Sequence, residues 1–216
     1  MKHILFIIFT CSLLVLQSCS NEPEQMIIST DMGDITVQLY NSTPKHRDNF
    51  VKLVEESYYD GTLFHRVVQG FMIQGGDPDS KKATPESLLG NGGPGYTLKP
   101  EFKEVHTRGA LAAARLADNM NAEKESSGCQ FYIVQGGPVT EGMLVLEETN
   151  KKFKYTAAQK EKYLKDGGVP FLDHSYTVFG EVISGMDVVD KIAAVERGVA
   201  DRPKKDIKII SIKKVK

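Results

Sequence analysis

The chain has 216 residues, enough for one large domain or two small ones, and its 41% apolar and 25% charged residues are an ordinary balance for a soluble globular fold. Lys and Arg number 27 against 28 Asp and Glu, a formal net charge of −1. No overall basic field exists to hold nucleic acid, and the composition excludes collagen, coiled coil and disorder.

At the N-terminus, Lys2 supplies positive charge, and Ile4 to Phe9 with Leu13 to Leu16 form an apolar run too short to span a bilayer as a helix. The run ends at Leu16-Gln17-Ser18-Cys19, which resembles the lipobox of bacterial lipoproteins. The resemblance implies that residues 1–18 are a signal removed on export. Cys19 then becomes the acylated N-terminus, a membrane anchor in the bacterial envelope that faces the periplasm or the cell surface. The alternative is an ordinary secretory signal with Cys19 a bystander. Cysteine usage agrees with export. With Cys11 in the signal and Cys19 acylated, only Cys129 remains, and a lone thiol can neither close an intramolecular disulfide nor share a metal with a second one. Residues 20–25 are polar and contain Pro23, so segment 19–25 reads as a lipidated end and tether, and 26–216 as the domain.

Met26 to Ile28 and Ile35 to Tyr40 read as two strands joined through Asp31 to Asp34. Thr43 and Pro44 then mark a helix start, as N-cap and first helical residue, with Phe50, Leu53 and Val54 repeating at helical spacing toward a core. Leu63 to Val68 and Phe71 to Gln74 are strand-like, and residues 75–108 are mostly loop. Leu111 to Arg115 and Gln130 to Gln135 are short strands. Within the long segment 136–170, Thr156 to Lys165 favours a charged surface helix capped by Thr156. Thr177 to Ile183 is a strand, Gly185 to Ala194 a helix with Met186, Val189 and Ile192 on one face, and Ile207 to Ile212 a final strand. Many short strands, few helices and no repeat favour a mainly β fold built on one closed antiparallel barrel.

The chemistry concentrates between Phe64 and Asp77. Strand alternation places Phe64, Arg66 and Val68 on one side, with His65 pointing the other way, and Met72 and Gln74 share a surface. An arginine among apolar groups needs a partner or a job, and a core arginine paired with a carboxylate fits this local pattern equally well.

That stretch resembles the cyclophilins. So do Thr43-Pro44 through Leu53, Tyr59 to Thr62, Gly92 to Tyr96, Gln130-Phe131, Phe171-Leu172-Asp173 and Val178 to Val182, in the family's order across nearly the whole domain. The resemblance implies an eight-stranded antiparallel β-barrel capped by two α-helices, with an extra, partly helical insertion at 136–170. It implies a peptidyl-prolyl cis/trans isomerase that acts on proline-containing polypeptides and aids the folding of exported proteins, without cofactor. Arg66 would be the catalytic residue. Phe71, Met72, Tyr132 and Leu172 would grip the proline ring, with Phe171 at the rim. Gln74 and Gln130 would bind substrate backbone, and Tyr176 stands at the pocket edge where many relatives carry histidine. Phe171 stands where many relatives carry tryptophan, which implies weak cyclosporin binding. Arg115-Leu116 and the insertion also depart from compact members, and the insertion is expected to form a helical flap beside the groove.

The other signals have plainer readings. Gly90 to Gly95 lacks the Gly-Lys-Ser/Thr and helix start of a phosphate loop, and the five histidines show no metal-ligand spacing, so no metal is expected. A barrel leaves no open edge to demand a partner, so a monomer is the default. The rival to an enzyme is a binding module that holds proline-containing segments as a chaperone or scaffold.

Overall fold

The computed structural model describes residues 22–215, so the signal 1–18 and Cys19 lie outside the described residues. β1 (Gln25–Thr30) and β2 (Gly33–Leu39) form the first hairpin. Gln25, assigned by sequence to the tether, already pairs with Gln38. In α1 (Pro44–Glu55), Phe50, Leu53 and Val54 face inward at helical spacing. Thr43 stands at the N-cap position, but its hydroxyl is buried without a hydrogen-bond partner, so the pre-set backbone of Pro44 starts the helix without a side-chain cap.

β3 (Phe64–Val68) and β4 (Met72–Gly75) form a second hairpin, and β5 (Thr97–Leu98) lies in the long loop. The chain continues through β6 (Ala110–Ala113), β7 (Ser126–Ser127), β8 (Phe131–Val134), α2 (Glu141–Lys151), α3 (Ala157–Asp166), β9 (Val178–Ser184), α4 (Met186–Ala193) and β10 (Ile209–Lys214). Eight strands form one antiparallel sheet ordered β10-β1-β2-β9-β6-β8-β4-β3, while β5 and β7 pair separately. The sheet curls until its edges meet. The Phe64 N–H donates to the Ile207 carbonyl at 2.9 Å, those of Gly61 and Ile209 donate to Ile209 and Thr62 at 2.8 Å, and Leu63 bridges Lys208. α1 packs against β9 and β10, and α4 against β2, β3 and β4.

Side-chain alternation divides the sheet into two cores. Ile73, Leu111, Ala113, Phe131 and Ile133 point into the curl and join Phe50, Tyr59 and Phe179 in the main core. Their neighbours Met72, Ala110, Ala112, Ala114, Tyr132 and Val134 point outward and form a second apolar cluster with Val169, Leu172 and Val178. Met72, Tyr132 and Leu172, residues expected to grip a proline ring, belong to this outer cluster, with Phe71 and Tyr176 packed against it.

The insertion leaves and re-enters through a neck of glycines. The Gly168 N–H donates to the Gly137 carbonyl at 3.0 Å. Gly168 has φ +149°, and a Cβ there would stand 2.4 Å from the His106 carbonyl, so only glycine fits. Beyond the neck lie two helices. α3 is the one expected from sequence: Thr156 and Gln159 cap each other's backbone N–H groups reciprocally. α2 is additional, and it ends at Lys152 in the left-handed conformation, φ +57°. The two helices enclose a small core of Val139, Leu144, Tyr155 and Tyr163.

Candidate active site

The site begins with an irregularity in β3. Phe64 pairs with Gly75 but Arg66 pairs with Gln74, so a bulge falls at His65. The bulge breaks the alternation expected from sequence. Phe64 turns into the main core with Val67, while Arg66 and Val68 face outward. His65 is 4% exposed, and neither ring nitrogen has a hydrogen-bond partner.

Arg66, Phe71, Met72, Gln74, Tyr132, Leu172 and Tyr176 line one cavity of about 120 Å³, together with Ala114 and Arg115. That volume suits a single small ring and falls well below the ~300–1,000 Å³ typical of drug-sized ligand pockets. β4 supplies Met72 and Gln74, β8 supplies Tyr132, and a single 3₁₀ turn, Pro170–Leu172, supplies Leu172. Phe171, on the same turn, is 53% exposed and stands at the rim, its ring 5.6 Å from that of Phe71. The Arg66 guanidinium lies 6.0 Å from the Phe71 ring centre, and its Nε is 3.4 Å from Asp201 Oδ2. Asp201 sits on a loop far downstream, and nothing in the local sequence pointed to it. Arg197 holds the same carboxylate at 2.9 Å.

Gln130 is buried and does not line this cavity; it lines a neighbouring depression that shares Gln74, Ala114 and Arg115 with it. Its amide donates to the carbonyls of Gly90 and Gly92 at 3.0 and 2.8 Å, and its Oε1 accepts from Gln74 Nε2 at 3.2 Å. It therefore fixes the Gly90–Gly92 loop and aims Gln74. Arg115 lies over the Tyr176 ring at 4.3 Å. It donates to the carbonyls of Ser175 and Leu116 at 2.7 and 2.8 Å and pairs with Asp118 at 2.6 Å. Its donors hold the pocket wall together. On its other side a shallow depression of about 620 Å³ runs past Leu116, Met120 and Tyr96.

Behind the proline-sized cavity is a buried polar network. The Tyr132 hydroxyl is 3.0 Å from His106 Nε2, and His106 Nδ1 is 2.7 Å from Asp173 Oδ1. The same oxygen accepts the His106 backbone N–H at 2.8 Å, and Oδ2 accepts the hydroxyls of Tyr155 and Tyr163, both at 2.7 Å. Burial alone would raise the Asp173 pKa, but the bonds from His106 and the two tyrosines outweigh it and hold the carboxyl below its usual range. Tyr132 is pushed well above the ordinary phenol value, chiefly by burial, so its hydroxyl stays neutral. Tyr155 and Tyr163 belong to the insertion, which thus reaches the pocket through Asp173. From α2, Lys151 also donates to the carbonyls of Phe171 and Asp173 at 2.6 and 2.7 Å. The insertion expected as a flap grips the pocket-bearing turn from behind.

Cys129 is buried, and burial raises its thiol to about 11, so it is a filler and no nucleophile. Among the described residues no cluster of His, Cys, Asp and Glu could hold a metal ion.

Comparison with known proteins follows the same lines. The sequence model of a family described as cyclophilin type peptidyl-prolyl cis-trans isomerase matches residues 25–214. A Staphylococcus saprophyticus protein described as a peptidyl-prolyl cis-trans isomerase is 36% identical over 191 residues, which cover 87% of this chain and 90% of that protein. A Streptococcus pyogenes protein described as a bifunctional phosphatase/peptidyl-prolyl cis-trans isomerase is 37% identical over 193 residues; the match covers 87% of this chain but 38% of that protein. The crystal structure of a Cryptosporidium parvum cyclophilin-type isomerase superposes with a TM-score of 0.67 at 24% identity, over 90% of this chain and 98% of that one. A second structure of that protein, determined in the presence of the dipeptide Ala-Pro, gives 0.63 at 25% identity, over 87% and 96%. This chain belongs to the cyclophilin-type peptidyl-prolyl cis-trans isomerase family.

Proposed function

We propose that the chain accelerates rotation about X–Pro bonds in exported polypeptides, as a monomer tethered through Cys19 to a membrane of the bacterial envelope. One observation carries the enzymatic part: a guanidinium at the mouth of a small apolar cavity in which a proline ring fits. An X–Pro bond resists rotation by roughly 18–20 kcal/mol because amide resonance makes it partly double. Rotation breaks that conjugation and leaves a pyramidal nitrogen with a free lone pair. Arg66 donates to that nitrogen, or to the turning carbonyl oxygen, without changing protonation state. Met72, Tyr132 and Leu172 hold the ring while the other side of the bond turns, and Gln74 orients the substrate backbone. Water is kept from the cavity floor, which strengthens the arginine's hydrogen bond. Lowering the barrier by about 7 kcal/mol gives about five decades in rate. No nucleophile or cofactor enters this chemistry.

The envelope role rests on the segment before the domain. Unaided X–Pro isomerisation takes tens to hundreds of seconds, slow enough to limit folding. A tether of a few residues concentrates the catalyst where translocated chains emerge. The test combines two readouts on cells that express the full chain. Wild type should co-sediment with membranes and take up radiolabelled fatty acid, and Cys19→Ser should lose both. Each purified protein should speed the proline-limited refolding of a secreted protein. Label uptake by Cys19→Ser would remove the tether from this reading, and failure to speed refolding would remove the folding role.

A further inference from the structure

We propose that the depression on the far side of Arg66 from the proline-sized cavity is a second substrate subsite, which takes an apolar side chain of the polypeptide flanking the proline. The proposal rests on the isomerase reading of the first cavity. The depression measures about 720 Å³ and lies between the loop Pro85–Gly90 and the loop Gly198–Lys204. Arg66 and Gln74 line both cavities, so a chain leaving the proline ring crosses Arg66 directly into it.

Four features suit it to that occupant. Leu88 and Val199, one on each wall, are 84% and 89% exposed, and a pair of large apolar side chains flanking one depression is a ready binding surface. Most of the charges around it are paired within the protein: Arg66 with Asp201, Arg202 with Asp206, and Lys204 with Glu196. An apolar ligand leaves these pairs intact. The walls are also preformed. Ala200 and Asp201 both hold the left-handed conformation, φ +57° and +58°, which non-glycine residues rarely adopt. Arg197 anchors Asp201, and Arg202 donates to the Thr84 carbonyl at 2.7 Å, tying one loop to the other. A site already in its bound shape loses little on ordering a ligand.

The fourth feature is His65 in the floor. Its ring is almost wholly buried and both nitrogens lack partners, an expensive arrangement for a polar group. Nε2 faces Gly90, 3.7 Å from where a Cβ there would stand. Burial keeps the ring neutral at ordinary pH, so the floor beneath the depression adds no charge for an apolar side chain to meet.

The experiment compares the full chain, purified in detergent, with the double variant Leu88→Asp/Val199→Asp, two exposed sites outside the proline cavity. The substrates are an X–Pro tetrapeptide and two longer peptides that extend it with leucine-containing segments on one side or the other. One extension should raise kcat/KM about tenfold through a lower KM, equivalent to about 1.4 kcal/mol. The double variant should lose that gain while it turns over the tetrapeptide at the wild-type rate. The proposal is overturned if neither extension helps, or if the gain persists in the variant. If folded wild type is inert even on the tetrapeptide, the isomerase reading is what fails. Direct binding of the fluorescently labelled longer peptides then decides the subsite: tighter to wild type than to the variant supports it, and equal binding rejects it.

Discussion

Arg66 stands between two walls built in opposite ways. On one side Tyr132, His106, Asp173, Tyr155 and Tyr163 are buried, and the Asp173 carboxylate alone accepts four hydrogen bonds. On the other side the loops 85–90 and 198–204 are held by ion pairs near the surface, with Leu88 and Val199 left in water. Buried hydrogen bonds are costly to leave unmade, whereas an exposed ion pair contributes about 0–1 kcal/mol. The first wall therefore fixes the shape of the cavity by buried hydrogen bonds, and the second holds its loops by ion pairs that contribute less to stability.

The largest effect should come from breaking the fixed wall at its hub. Asp173→Ala leaves His106 and two tyrosine hydroxyls buried and unpaired, and should destabilise the fold by about 3–5 kcal/mol in urea unfolding. A loss below 1 kcal/mol would mean that the network is not holding the wall. Next comes His65. Its folded pKa of about 4 lies below the unfolded value near 6.5, so the neutral ring favours the folded state. That contribution is complete above about pH 6.5 and is lost as pH falls toward 4, about 3 kcal/mol in all. His65→Gln should flatten stability over this window relative to wild type, and identical pH curves would show that the ring is not buried as described.

Tyr132→Phe removes one hydroxyl and strands His106 Nε2, so stability should fall by about 1–2 kcal/mol with kcat little changed. A large fall in kcat would give that hydroxyl a direct part in the chemistry. The smallest effect on stability belongs to the loop wall. Asp201→Asn should change unfolding by less than about 1 kcal/mol, yet lower kcat/KM about threefold to tenfold because Arg66 loses its carboxylate. An unchanged rate would show that Asp201 does not position the arginine.

What could be read from the sequence follows the range of the forces involved. The strands of the main sheet, α1, α3 and α4 were legible because their periodicity or caps are local, as with Thr156 and Gln159, whereas the two-residue strands β5 and β7 are too short to show any. The bulge at His65 was not, since the sequence from Phe64 to Val68 carries no mark of it and only the pairing with β4 inserts the extra residue that turns Phe64 away from the face of Arg66 and Val68. α2 was hidden by Gly142 and by Met143, Val145 and Leu146, whose exposure blurs any helical stripe. The pocket residues were legible only because whole motifs resemble a family. Nothing local marks the contact between His106 and Asp173, 67 residues apart, or between Arg66 and Asp201. Such partners are chosen by how the sheet curls and by where the glycine neck returns the insertion.

Arg66 is proposed to perform the isomerisation at the edge of the proline-sized cavity. That role is tested most directly by the cis-to-trans rate of a short X–Pro peptide with wild type and with Arg66→Ala, both checked for folding by circular dichroism. Wild type should accelerate the rotation strongly, and the variant should lose about a hundredfold, about 2.7 kcal/mol. Equal rates from the two folded proteins would contradict that role; if both are inert, the groove becomes a binding site for proline-containing chains.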